Sequence, residues 1–285
     1  MTTSKIPVDI RNPAQVFACL GIMELADRTL DEVQGRFGWL HASTPPGAAI
    51  PDAFELEAKS DADPIRSVLE LLRTAKVGTP NCLVPHVCGN PQVWPSPEMD
   101  EKTAPVRLEF GDCEAVSSFV LSAWSDRSSR GRVKLFAGPQ KGMTIIRDLF
   151  EGTGKDVGAK HLLDQVLQKR DLDPFRPLVP TRGSFRIEPR GVWTAIGAGY
   201  SIDVENMNVS TTNPLAEVLA MVGFEHARYA KRDRTCVYSV WMEWASLELA
   251  RALIGAVPSP FHTITLAFEE EGAGKYKNFT FARAI

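Results

Sequence analysis

The chain reads as an α+β protein of two related units, and three observations carry that reading. The first is the opening order of elements. Residues 6–28, IPVDIRNPAQVFACLGIMELADR, give a short strand, a turn at Asn12-Pro13 and a helix. Strand-like Gly35–Leu40 and Ala53–Ala58 follow, then a helix from Asp63-Pro64 to about Lys76. The second is an internal echo, Asn213–Tyr229, NPLAEVLAMVGFEHARY. Placing Gly21 on Gly223 puts Val16 on Val218, Phe17 on Leu219, Ala18 on Ala220 and Leu20 on Val222, with the Asn-Pro pairs offset by one residue. The third is that each helix follows a strand-like stretch, Tyr200–Val204 in the second case. The β-α-β-β-α order is that of a ferredoxin-like (RRM-like) unit. The expectation is therefore two such units with insertions, residues 1–182 carrying a Pro-rich and helical insertion and residues 183–285 forming the second.

Each element has a local cause. Pro13 suits the first position of a helix and Asn12 caps it. Val16, Phe17, Leu20 and Met23 recur at helical spacing on one apolar face. Gly21 interrupts that helix at a cost of roughly 1 kcal/mol against alanine, which predicts close approach of another backbone. Phe54 and Leu56 alternate with Glu55 and Glu57, as in a strand buried on one face. Thr79–Pro105 holds six prolines and reads as an irregular excursion with a strand piece near Cys82–Val87. Val106–Phe110 is strand-like, Glu114–Trp124 helical and Arg132–Phe136 strand-like. Gly142–Phe150 and Ala159–Lys169 are expected helices. Asp171–Arg182, with three prolines, is a connector. Ser184–Ile187 reads as a strand and Gly191–Ala198 as a short helix. After the echo come strand Cys236–Trp241, helix Ala245–Ala256, and a closing strand pair, Phe261–Phe268 with Tyr276–Phe281.

Bulk properties bound the function. The chain has 285 residues, 44% hydrophobic and 24% charged, which is enough for a packed core. Net charge is −3, from 32 basic and 35 acidic residues, so any polyanion contact must come from local clusters. No run reaches the roughly 18 apolar residues of a membrane span, and the N-terminus lacks a signal-peptide apolar region. No membrane association and a cytoplasmic location are expected. The five cysteines, without framework spacing, fit reduced thiols.

Motifs for small-molecule chemistry are scarce. Cys82, His86 and Cys88 give C-x3-H-x-C, but a structural zinc site takes four ligands and no partnering pair sits nearby. No Walker A loop, nucleophile elbow, H-E-x-x-H or G-x-G-x-x-G opens a helix. No catalytic residue, metal or cofactor is assigned. The basic residues are more informative. Arg127, Arg130, Arg132 and Lys134 cluster at one expected strand, with Lys141 beyond the next turn. Arg182, Arg186 and Arg190 flank a second, spaced evenly from 182 to 190. Lys231, Arg232 and Arg234, preceded by Arg228, follow the echo helix, and Lys275 and Lys277 follow Gly272-Ala-Gly274. Lysine and arginine at strand ends, with glycines that admit a phosphate, form the candidate nucleic-acid surface. Trp94, Trp124, Tyr200, Trp241 and Trp244 would stack bases if exposed. The competing reading is a solvated, salt-bridged surface over core aromatics.

Four segments also carry a resemblance: IPVDIRNPAQVFACLGIMELADR, KLFAGPQKGM, DPFRPLVPTRGSFRIEPRGVWTAIGAGYSID and NPLAEVLAMVGFEHARY. Together they resemble a small-subunit family of CRISPR type I-U (type I-G) RNA-guided effector systems, with ferredoxin-like (RAMP-type) modules. The resemblance implies a non-catalytic subunit contacting guide RNA, target DNA and other CRISPR effector subunits, with a compact large-subunit role at the target-flanking motif as one form. Guide pairing would read sequence, and protein the backbone and a short flanking motif. Two alternatives stand beside it. One is a metal-independent endoribonuclease maturing guide RNA, with His41, His161 and His226 as the available imidazoles. The other is a scaffold that touches no nucleic acid.

Overall fold

The computed structural model describes residues 1–41, 50–78, 83–84, 92–93, 105–111, 118–124, 142–154, 156–181, 183–190, 210–232, 235–271 and 278–285. Its first elements are β1 (Thr2–Pro7), α1 (Pro13–Ala26), β2 (Asp31–Gly38), β3 (Ala53–Lys59) and α2 (Pro64–Thr74). β3 lies between β1 and β2 and is antiparallel to both. Register puts Phe54 opposite Ile6 on one side and Phe37 on the other. Asp63 caps α2 by accepting from Arg66 N–H, and Ser4 Oγ of β1 accepts from Ile65 N–H, tying that helix to the sheet.

The chain then leaves this sheet. β4 (Ala75–Gly78) starts at the end of α2 and pairs with β7 (Val106–Phe110), which pairs with β8 (Ser118–Leu121). Between them, β5 (Leu83–Val84) and β6 (Gln92–Val93) form a two-residue ladder. Helices α3 (Gly142–Glu151) and α4 (Ala159–Leu167) follow, then β9 (Val179–Thr181), which pairs with β10 (Ser210–Thr212). The echo helix is α5 (Pro214–Gly223). Beyond it lie β11 (Ala230–Arg232), β12 (Thr235–Trp241), β13 (Ala245–Ser246), α6 (Leu247–Ile254), β14 (Thr263–Glu271), β15 (Asn278–Phe279) and β16 (Arg283–Ala284). β12 pairs antiparallel with both β11 and β14. β13 instead crosses to the first sheet and pairs with β2, Ala245 opposite Gly35.

The echo has a structural meaning. α1 and α5 cross at their glycines. A Cβ on Gly21 would lie 2.0 Å from Leu219 O, and a Cβ on Gly223 would lie 2.2 Å from Phe17 O. Phe17 and Leu219 are themselves partners in the sequence echo, so the contact is reciprocal about a local pseudo-two-fold. Phe17 stacks on Phe224 at 4.2 Å, and Tyr229, Tyr238, Phe268 and Phe279 continue that aromatic cluster. One continuous apolar core spans both parts of the chain. Tyr238 OH donates to Ile10 O at 2.6 Å and Trp241 Nε1–H to Gly35 O at 2.7 Å, both across the expected division at residue 182.

Several expectations change. α1 is buried on all sides, Gln15 and Glu24 included, and not on one face. Its neighbours α2, α5 and α6 and the sheet leave it no solvent side. The end of the expected Glu114–Trp124 helix is the strand β8, because Phe119 and Leu121 alternate inward and pair with β7. Ser184–Ile187 forms no strand: Arg186 has φ 61°, a left-handed bend that ends extended structure. In the second half, β14 pairs directly with β12, where a ferredoxin-like unit puts its first strand between them; β10 lies against β9 instead. The expected elements at Arg132–Phe136, Gly191–Ala198 and Tyr200–Val204 lie outside the described residues. No helix among the described residues is long and apolar enough to cross a membrane.

Candidate functional site

An open cleft of about 620 Å³ lies at the N-terminal end of α1. Its walls are the β1–α1 turn (Pro7, Val8, Asp9, Arg11), Gln15 of α1, the β2–β3 connection (Leu40, Ile50, Pro51, Asp52), and Asp173, Phe175, Arg176 and Arg190. Three arginines and three aspartates therefore face a partly apolar hollow.

The two related helix caps build one wall. Asn12 caps α1, accepting from Ala14 N–H at 3.0 Å, and Asn213 caps α5, accepting from Ala216 N–H at 2.7 Å. Each keeps an amide NH2 for a second task. Asn213 Nδ2 donates to Pro174 O and Pro177 O at 3.0 and 2.8 Å. Asn12 Nδ2 donates to Glu188 Oε1 at 2.7 Å. Glu188, whose side chain is fully buried, holds the Arg190 guanidinium through Nε and Nη2. Arg190 then donates to Phe175 O at 2.6 Å and Arg176 O at 3.4 Å. Four consecutive carbonyls, Pro174 to Pro177, are thus tied down by two side chains.

This fixing sorts the charges. Arg190 is consumed by Glu188 and the carbonyls, and acts as a strut. Arg11 is paired with Asp9 at 3.0 Å, which raises its pKa, first through the hydrogen bond and then through charge. Asp52 accepts from Leu40 N–H at 2.7 Å. The Arg176 guanidinium and the Asp173 carboxylate have no partner among the described residues. Gln15 is only 4% exposed; its Oε1 accepts from Asp9 N–H at 2.8 Å, which leaves its NH2 end to the cleft.

A second polar cluster joins the C-terminal ends of the crossing helices. Glu24, fully buried, accepts from Arg251 Nε and Nη2 at 2.7 and 2.6 Å, and its Oε2 lies 3.2 Å from His226 Nδ1. Burial lowers the His226 pKa; Glu24 opposes this and Arg251, Arg28 and Arg228 reinforce it. The neutral ring then donates Nδ1–H to Glu24 and leaves Nε2 as an acceptor. Arg28 lies over the Phe119 ring, 4.3 Å from its centre. Nearby, Glu225 accepts from Ser122 Oγ and from the Ser122 and Ala123 N–H groups, and burial raises its pKa. Glu217 at the start of α5 accepts from Ser184 Oγ, Phe185 N–H and Thr212 Oγ1, all within 2.9 Å. Burial pushes its carboxyl up to about 7, despite those donors.

Of the residues expected to touch nucleic acid, Arg127, Arg130, Arg132, Lys134, Lys141, Arg182, Arg234, Lys275 and Lys277 lie outside the described residues. Arg190 is in the cleft wall. Arg186 sits at the left-handed bend, its carbonyl accepting from Phe279 N–H. Lys231 is paired with Glu270 at 2.7 Å, on the far strand of its sheet, and Arg232 closes β11. The C-x3-H-x-C motif has Cys82, His86 and Cys88 outside the described residues, among which no acid, His and Cys group is placed to hold a metal ion. Among the imidazoles, His41 is exposed and His161 is paired with Gln165 one helical turn on.

No family model, curated protein or solved structure matches the chain. The cleft must be read on its own geometry. Sequence reasoning missed Arg11, Gln15, Asp173 and Arg176. The available signals were Asn-Pro before both echo helices and the proline-framed segment DPFRP.

Proposed function

We propose that the protein is a non-catalytic subunit of a type I CRISPR RNA-guided effector complex in the cytoplasm, contacting guide RNA or target DNA together with neighbouring subunits. The cleft at the head of α1 carries the reading: a fixed backbone presents Arg176 to a cleft that Arg11 also lines, an open cation of the kind that holds a phosphodiester. The β1-β3-β2 strand order with α1 and α2 supports a ferredoxin-like (RRM-like) first module whose fourth strand, β4, has been drawn into another sheet. The pseudo-two-fold pairing of α1 and α5 supports reading residues 183–285 as a second, rearranged module. The described charges favour a small contact over a long one, since Lys231 and Arg190 are already neutralised by Glu270 and Glu188.

The test is co-purification. The chain is expressed with its genomic neighbours and a guide RNA, and recovered by a tag on this chain. Guide RNA is expected with the other subunits. Reversal at Arg176 and Arg11 lowers the RNA yield, and the retained RNA falls steeply with added salt. Recovery of partners with RNA unaffected by the reversal would point to a scaffold, and recovery of nothing would refute the proposal.

The His226–Glu24 pair favours one second reading, the guide-processing nuclease. A neutral imidazole oriented by a buried carboxylate, beside Arg251, is arranged as a general base needs to be. Cleavage of repeat RNA under chelation, abolished in His226→Ala, would establish it; no cleavage by the intact chain would remove it.

A further inference from the structure

The cleft has a chemical signature finer than positive charge. We infer that it takes a single unpaired nucleotide, with the phosphate on Arg176 and the donor edge of a guanine base on Asp173; this rests on the nucleic-acid reading above and specifies its ligand.

The segment Asp173–Pro177 is a prepared surface. Its four carbonyls from Pro174 to Pro177 are held by Asn213 and Arg190, and Arg190 in turn by Glu188. Arg176 and the residue after Asp173 belong to that held backbone, so a ligand has only the two side chains to order and no loop. Most of the other charges in the cleft are engaged within it: Arg11 on Asp9, Arg190 on Glu188, one oxygen of Asp52 on Leu40 N–H. What a ligand meets first is one open cation, one open carboxylate and the NH2 end of Gln15.

That set complements a nucleotide. A phosphate group answers Arg176. A carboxylate accepts two adjacent hydrogen bonds from guanine, whose ring N–H and exocyclic amine lie side by side. Adenine and cytosine offer the amine beside a ring acceptor, and uracil offers a lone ring N–H between two acceptors. The Gln15 NH2 is a donor for the acceptor edge of the same base. Leu40 and Ile50, 36% and 50% exposed, with Val8 and Pro51 provide apolar surface for a flat ring. The volume of about 620 Å³ lies within the range of small-ligand sites. An unstacked base recognised at its edge is also how proteins read single-stranded RNA.

The experiment is calorimetric titration of the full chain with guanosine, adenosine, cytidine and uridine 5′-monophosphates at fixed salt. Guanosine monophosphate is expected to bind about tenfold more tightly than the uridine nucleotide. Asp173→Asn is nearly isosteric and is expected to erase that ratio, the guanosine nucleotide losing affinity relative to the other three. Arg176→Ala is expected to weaken all four alike. Equal affinities, or a preference that survives Asp173→Asn, overturn the inference even if the chain retains guide RNA. A guanosine preference lost in Asp173→Asn, in a chain that recovers no guide RNA, supports the nucleotide site and refutes the complex-subunit reading alone.

Discussion

Gly21→Ala sets two effects of opposite sign against each other at the crossing of α1 and α5. In a free helix, alanine is favoured over glycine by roughly 1 kcal/mol. At this position the new Cβ stands 2.0 Å from Leu219 O and 2.9 Å from the Leu219 carbonyl carbon. Both atoms are helix backbone, so no side chain can turn away. Reaching an ordinary contact near 3.4 Å parts the backbones by about 1.4 Å. A gap of roughly 0.5–1 Å already forfeits a quarter to a half of each dispersion well. The loss runs through Phe17, Leu20, Leu219 and Val222, all at 0% exposure. Overpacking of this kind costs about 1–3 kcal/mol and more where the neighbour is rigid backbone; about 3–5 kcal/mol here, less the roughly 1 kcal/mol of helix propensity, leaves a net destabilisation of about 2–4 kcal/mol. For a chain of this size, with an unfolding entropy of about 0.6 kcal/mol/K, that lowers the thermal midpoint by about 3–7 °C. Thermal unfolding followed by circular dichroism measures it, with Gly111→Ala, where a Cβ meets nothing within 4 Å, as the control. Gly223→Ala should behave like Gly21→Ala, because its Cβ meets Phe17 O at 2.2 Å. A midpoint within about 1 °C of the parent, or above it, would mean that helix propensity outweighs the contact and would refute the reasoning.

Two further outcomes follow from buried polar groups. Glu217 titrates near 7 in the fold against an ordinary value of 4.5. Between those values the folded chain keeps a proton that the unfolded chain releases, so this group's contribution weakens as pH rises from about 4.5 to 7 and is level above, by on the order of 3 kcal/mol in all. Glu217→Gln should flatten that part of the profile in urea unfolding at pH 5 and pH 8, and an unchanged slope would exclude Glu217 as its source. Asn213→Ala removes the α5 cap, worth about 1–2 kcal/mol, and also frees Pro174 O and Pro177 O. Amide exchange should quicken at Ala216, whose N–H Asn213 accepts, and Asn213→Ser should restore that protection, since serine caps although it does not reach the two carbonyls.

The sequence carried the local elements and the helix pair further than the pairing of distant strands. Asn-Pro at each helix start is a capping signal with a short-range mechanism, and both helices begin there. A glycine that costs propensity within an apolar helix implies a close backbone, and Gly21 and Gly223 meet Leu219 and Phe17. The opening β-α-β-β-α order was visible from periodicity of 2 and 3.6 alone. The diversion of β4 to β7 was not, because pairing is decided by partners about 30 residues away, outside any local window. The same holds for β14 on β12 and β13 on β2. The cleft was only partly legible for a different reason. Charge clusters in sequence show where arginines are, but not which are consumed. Arg190 looked free, and Glu188 and two carbonyls occupy it. Arg176 stood alone between prolines and is the unengaged one.

The short strand β13 has a consequence for synthesis. The sheet begun by residues 2–7 is finished by Ala245 and Ser246, and Gly35 O, Ile10 O and Glu24 await Trp241, Tyr238 and Arg251. A nascent chain that has exposed only its first half therefore has α1 without two of the helices that cover it, Glu24 without its cation, and a sheet edge without its last strand. Loop closure over about 200 residues must precede those contacts, which slows folding and prolongs the exposure of that edge. Arrested chains ending before Trp241 should be held by chaperones, and protease resistance of the first sheet should arise only once α6 has left the ribosomal tunnel.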